Sequence, residues 1–138
     1  MTYKTKTQLD TLFGDNTAGD ISAADARDFI DSVMNVVNVT AQITTTLLIT
    51  RDHNVVLCNA TTAGANITVT LPAASGCTRW VKTIVKTDAG TDDVIIDADA
   101  SETINGATTQ TLTAQYDYLT IVCDGAAWWI IASVITPP

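Results

Sequence analysis

The hydrophobic pattern changes period near Asn38, and the two periods predict two kinds of structure. In "TKTQLDTLFG", Leu9, Leu12 and Phe13 form a helical stripe, with Thr5 or Thr7 as N-cap and Gly14 as a C-terminal stop. "DNTAGD" is a loop, and "ISAADARDFIDSVMNVV" opens a second helix. Its Ser22 with Asp25 has the spacing of a capping box, and its acidic first turns suit the helix dipole. Ala26, Phe29, Ile30, Val33 and Val37 then fall on one face. Such a face either packs on its own domain or docks on a partner.

From residue 39 the period becomes two and β-branched residues dominate. Strands are predicted over 41–50, 54–59, 66–71, 79–87, 93–98, 109–114, 116–123 and 127–135, separated by Gly, Asp, Asn and Pro clusters. Asn105-Gly106 and Asp124-Gly125 are turn dipeptides between extended runs, so each is expected to close a tight hairpin. The predicted fold is mainly β: a helical arm of two helices over 1–38, then an antiparallel β-sandwich or small barrel over 39–138.

The last strand breaks the usual alternation. "AWWIIASVI" is apolar on both faces, whereas a strand of a lone antiparallel sandwich wets one. Either another chain or the chain's own arm is expected to cover it. Adjacent strand residues point to opposite faces, so Trp128 and Trp129 are expected to divide between the domain core and a subunit interface that also takes Ile131. Trp80 is a candidate for stacking on a sugar ring if exposed. Threonine, the commonest residue, provides β-propensity without a greasy surface.

Charge narrows the partners. With 7 Lys+Arg against 15 Asp+Glu, the net charge is −8, the wrong sign for nucleic acid or anionic lipid. Apolar runs such as Ala126–Ala132 fall short of the roughly 20 residues a membrane helix needs. The polar opening "MTYKTK" is unlike the apolar core of a signal peptide, which predicts synthesis and use from the cytoplasm.

Candidate chemistry is sparse. Cys58, Cys77 and Cys123 are odd in number, widely spaced and without a CxxC pair, so buried free thiols are expected. His53 is the only possible imidazole base, and it sits in a polar turn. The carboxylates Asp92, Asp93, Asp97, Asp99 and Glu102 have no cleft-forming insertion around them to hold a sugar. "DADAS" opens like a calcium loop, but Glu102 stands where its glycine belongs and Thr108 where its last glutamate belongs. No phosphate loop is present, and the N-x-Thr sequons at Asn38, Asn59 and Asn66 are expected by chance in so threonine-rich a chain. No catalytic residue, metal or cofactor is assigned.

Two stretches resemble a known class of protein. "TKTQLDTLFGDNTAGDISAADARDFIDSV" resembles the N-terminal segment of small tailed-phage virion proteins, in which a "LF-DN--G-I-A-D-RDF" pattern precedes a fibre or decoration domain. The segment from "ATTAGANITVTLP" to "CDGAAWWII" resembles the β domain of phage tail-fibre and head-fibre proteins. The resemblance implies a non-enzymatic homotrimer on the virion surface, its arm attached to a capsid or tail protein through Leu9, Leu12, Phe13, Phe29, Ile30 and Val33, its β domain exposed. The chain lacks a long shaft and a large tip domain, which fits capsid decoration or a short head fibre better than a receptor-binding fibre. The alternative is a tail module recognising host surface carbohydrate, with Trp80 as a contact.

Overall fold

The period-two pattern is realised as eight strands. The computed structural model describes residues 37–137, and those from Asn38 onward form one compact unit. The six arm positions Leu9, Leu12, Phe13, Phe29, Ile30 and Val33 lie outside the described residues. The strands are β1 (Leu47–Leu48), β2 (Val55–Cys58), β3 (Ile67–Thr70), β4 (Val81–Lys86), β5 (Val94–Asp97), β6 (Thr109–Leu112), β7 (Tyr118–Cys123) and β8 (Trp128–Val134). Each falls inside a predicted run. A one-turn helix, α1 (Ala60–Ala63), and a 3₁₀ turn at Ala74–Gly76 were not predicted. Asn59 caps α1 by accepting from the Thr62 N–H, and Gly64 closes it in the left-handed region.

The expectation of a purely antiparallel domain needs correction. The strands form two four-stranded mixed sheets, ordered β1-β3-β5-β6 and β2-β4-β7-β8. Through β5 the chain changes sheet at every connection, so each strand pairs in parallel with the one two places on: β1 with β3, β3 with β5, and β2 with β4. Val39 and Ile43 add parallel bridges to β2 on its free side. This is the winding of a short two-sheet solenoid, in which the strand of the opposite sheet supplies the crossover that parallel pairing requires. After β5 the pattern changes, and β5–β6, β4–β7 and β7–β8 pair antiparallel.

The two turn dipeptides lie in the two hairpin connections. Ile104 and Ala107 exchange backbone hydrogen bonds of 2.7 and 3.1 Å around Asn105 and Gly106, whose φ angles of 50° and 88° suit a two-residue hairpin turn. At the β7–β8 turn, Asp124 Oδ1 accepts the Ala126 and Ala127 N–H groups at 2.8 Å each.

The core lies between the sheets. Val56 and Cys58, Ile67 and Val69, Ile84, Val94 and Ile96, Leu112, Leu119 and Ile121, and Trp128 project into it from successive strands and are buried. Full burial of one such aliphatic side chain contributes about 1.5–3 kcal/mol. Trp128, with none of its surface accessible, is the largest member, whereas its neighbour Trp129 is 48% exposed. Truncation should therefore separate them: Trp128→Ala is expected to lower the unfolding free energy by about 3–5 kcal/mol in urea titration, and Trp129→Ala by less than about 1 kcal/mol.

Candidate functional site

The sequence positions singled out for chemistry do not converge. His53 sits in the turn after β1, where its Nδ1 accepts the Thr50 N–H at 3.1 Å. Glu102 turns its carboxylate onto the Ala74 N–H, with both oxygens within 3.0 Å, and so holds the 3₁₀ turn. Asp97 lies on the outer side of β5. The described residues contain no group of three or more His, Cys, Asp or Glu side chains placed to hold a metal ion. Cys58, Cys77 and Cys123 are free and buried. Burial pushes the Cys58 thiol up to about 12, with Asp88 adding to the effect and Lys86 opposing it. The other two thiols are also raised by burial, which leaves all three poor nucleophiles.

The concentrated polar chemistry lies elsewhere, on β4. In "VKTIVK" the residues alternate, but Lys82 and Lys86 face inward with Ile84 while Val81, Thr83 and Val85 face outward. This inverts the usual arrangement, since lysine is almost never fully buried unless paired. Lys86 is completely buried and meets Asp88 Oδ1 at 2.6 Å. That carboxylate also accepts from Thr61 Oγ1 at 2.6 Å and the Gly90 N–H at 3.0 Å, and its Oδ2 accepts the Ala60 N–H at 2.9 Å. Burial alone would raise the Asp88 pKa. The bonds from Lys86, Thr61, Ala60 and Gly90 outweigh burial and hold the carboxyl well below its ordinary range. Gly90 allows this close approach, because a Cβ there would lie 1.8 Å from Thr61 Oγ1.

Lys82 is satisfied differently. Its Nζ donates to the Thr50 and Arg51 carbonyls at 3.0 and 2.9 Å and lies 4.6 Å from the centre of the Trp80 ring. Burial draws its pKa down to about 8, with Cys77 and Asp52 pulling it back up and Arg51 adding to the depression. Trp80, the sugar-stacking candidate, is half-buried, packed against the core and engaged with this ammonium. Asp117, 1% exposed, receives the Thr113, Ala114 and Thr136 N–H groups and the Thr136 hydroxyl, tying the chain after β8 to the β6–β7 turn.

The inversion of β4 changes the surface. Outside the β2-β4-β7-β8 sheet lie Val55 and Leu57, Val81 and Val85, Tyr118 and Val122, and Trp129, with Thr83 and Thr120 sharing a 3.0 Å hydroxyl contact. None of these carries a charge at neutral pH. The opposite sheet shows Leu48, Thr68, Thr70, Ile95, Asp97, Thr109 and Thr111. Trp128 is wholly inside the domain, so Trp129 and Ile131 are the interface candidates that reach the surface, at 48% and 58% exposure. Lys82, Lys86, Asp88 and Asp117 were not among the candidates read from the sequence. The available signal was "VKTIVK", in which one parity pairs lysines with isoleucine and the other is valine and threonine.

Comparison with known proteins finds no matching family model and no matching curated sequence. Among the described residues no helix is long and apolar enough to cross a membrane.

Two predictions follow from the buried charges. Asp88→Asn leaves the Lys86 ammonium without its counter-charge, and the expected loss is about 3–5 kcal/mol of unfolding free energy. Because the folded carboxyl titrates below its unfolded value of about 3.9, the wild-type advantage over this variant is present above about pH 4 and declines as pH falls further. Urea titrations at several acid pH values measure both effects.

Lys82 behaves with the opposite sign. Its folded pKa of about 8 lies below the unfolded value of about 10.4, so between these limits the unfolded chain binds more protons. Raising the pH through this window therefore favours the folded state. The buried thiols run the other way, since their raised pKa values make stability fall above about pH 8.5. The comparison must accordingly be with Lys82→Met: from about pH 8 to about pH 10 the stability difference should move toward wild type, by up to about 1.4 kcal/mol per pH unit.

Proposed function

We propose that this chain is a non-enzymatic structural protein of a tailed-phage virion: a homotrimeric capsid decoration or head-fibre protein. Residues 1–38 dock it on the particle, through Leu9, Leu12, Phe13, Phe29, Ile30 and Val33, and the β domain faces outward. One observation carries the reading. The outer face of the β2-β4-β7-β8 sheet is mostly aliphatic and aromatic, with the Asp124 carboxylate at its Trp129 end, whereas the opposite sheet shows mostly threonine beside Leu48, Ile95 and Asp97, an asymmetry suited to a protein with one wetter side and one assembled side. The strongly interacting polar groups support it further. Lys82, Lys86, Asp88 and Asp117 are buried and engaged with their own domain, holding turns to strands. The resemblance of the arm and β sequences to phage fibre and decoration proteins supplies the biological setting.

The test is immunogold electron microscopy of intact particles with antibody raised against residues 39–138. Gold over the capsid is the expected outcome. Gold confined to the tail would replace this assignment with a tail module directed at host surface carbohydrate, and particles free of label would end the virion reading altogether.

A further inference from the structure

Two turns meet at one end of the β4–β7 pair. The Trp80 N–H donates to the Cys77 carbonyl at 2.9 Å and closes a four-residue turn, whose third residue, Arg79, has a φ of 70° in the left-handed region. The Arg79 N–H donates to the Cys123 carbonyl at 2.8 Å, and the Cys123 N–H to the Trp80 carbonyl at 2.9 Å. Two residues thus face one, as in the β-bulge whose first position is ordinarily glycine. A side chain there strains the backbone. Arg79 bears that strain while exposed, and among the described residues no carboxylate or carbonyl holds its guanidinium.

Strain by itself marks no site. Tyr116 is placed in the same way at the other end of the pair, with a φ of 68°, its N–H on the Lys86 carbonyl and the Lys86 N–H on the Asp117 carbonyl. What distinguishes Arg79 is its surroundings. Cys123, which its bulge faces, is followed by Asp124, whose Oδ1 accepts the Ala126 and Ala127 N–H groups and whose Oδ2 accepts Trp129 Nε1 at 2.7 Å. These donors hold the carboxyl below its ordinary value, so it is charged at neutral pH. The bond to Asp124 fixes the indole by its edge, while 48% of Trp129 stays exposed. Gly125 keeps the two turns close, since a Cβ there would lie 2.7 Å from Thr78 Oγ1. An aromatic ring oriented by a carboxylate therefore stands about a strand's width from a strained, exposed arginine.

We propose that Arg79, Asp124 and Trp129 form a binding site for a neutral glycan, a pyranose lying against the Trp129 ring with its hydroxyls shared between the Asp124 carboxylate and the Arg79 guanidinium. The two charges decide the ligand class. An anionic ligand is repelled by Asp124 and a cationic one by Arg79, whereas a sugar hydroxyl both donates to a carboxylate and accepts from a guanidinium. Asp124 Oδ2 uses one lone pair on the indole and keeps another for a hydroxyl. Stacking uses the face of the indole, so Nε1 stays on Asp124. The inference goes beyond the virion reading and holds wherever on the particle the chain sits. It also moves the sugar contact from Trp80, whose ring is engaged with Lys82, to Trp129.

The labelled full chain on an array of immobilised neutral, sialylated, sulfated and unacetylated glucosamine-bearing oligosaccharides tests the proposal. Binding to neutral glycans is expected, and Trp129→Ala and Arg79→Gly should each weaken it by about tenfold or more. Arg79→Gly is the decisive variant because glycine relieves the left-handed strain. Its urea midpoint should hold or rise while binding falls, a combination that loss of structure does not produce. Tyr116→Gly relieves the matching strain at the far end of the pair and should keep full binding. An array without a bound glycan, a preference for the charged oligosaccharides, or neutral-glycan binding that survives in Trp129→Ala and Arg79→Gly overturns the proposal, and none of these results alters the immunogold outcome.

Discussion

The structure depends on how two buried ammonium groups on β4 are satisfied. β4 lies inside its sheet, paired in parallel with β2 and antiparallel with β7, so it anchors both halves of that sheet. Turning Lys82 and Lys86 inward places a positive charge near each end of the strand, within the apolar layer. Each must find acceptors or forfeit several kcal/mol. The acceptors come from connections rather than strands. The Thr50 and Arg51 carbonyls come to Lys82 from the end of β1, and Asp88 comes to Lys86 while also holding the start of α1 and the Gly90 backbone. The two lysines thereby fasten loops that pure hydrophobic burial would leave loose.

The arrangement is better understood as specification than as added stability. A buried ion pair often contributes no more than a well-packed apolar pair of equal volume, though breaking one is costly. Its discriminating power comes from the strand period. A one-residue slip of β4 would move both lysines to the outer face, bring Val81, Thr83 and Val85 inward, and leave Asp88 without its partner. Parallel strands that cross between sheets lack the short hairpin turns that otherwise set register. Two charged anchors on one strand supply that missing constraint in the solenoid half of the domain. In the second half, the turns at Asn105-Gly106 and Asp124-Gly125 perform the same task locally.

This division explains what the sequence made legible. All eight strands lay within predicted runs, because alternation reports which segments are extended and half-buried. It says nothing about direction, and antiparallel pairing was expected where the first five strands pair in parallel. The missing information was that "NATTAGAN" and "LPAASGCTRW" are crossovers between sheets and not turns within one. α1 was missed because four residues are too few to show a helical period, and its capping by Asn59 and Gly64 resembles any polar turn. Trp128 and Trp129 were expected on opposite faces, and pairing opposite Cys123 and Val122 places them so. The buried lysines were overlooked because burial is a poor prior for lysine. Only the register, which brings Cys58 opposite Lys86 and Ile121 opposite Lys82, shows which parity points inward.

The inversion of β4 also links the interior to the exterior. In an ordinary half-wet strand, valines at Val81 and Val85 would belong to the core and lysines would keep the outer face in water. Exchanging them costs hydrophobic burial inside and solubility outside. The interior cost is offset by the hydrogen bonds just described. Outside, the cross-strand rows from Val81 through Val122 to Trp129, and from Leu57 through Val85 and Tyr118 to Val134, present uncharged side chains, and among the described residues the Asp124 carboxylate meets this face at Trp129. Among the described residues this mostly apolar face, with Asp124 at its Trp129 end, is the part of the domain that gains most from being covered. The inward turn of Lys82 and Lys86 that orders the inside of β4 thus also leaves its outer row to Val81, Thr83 and Val85.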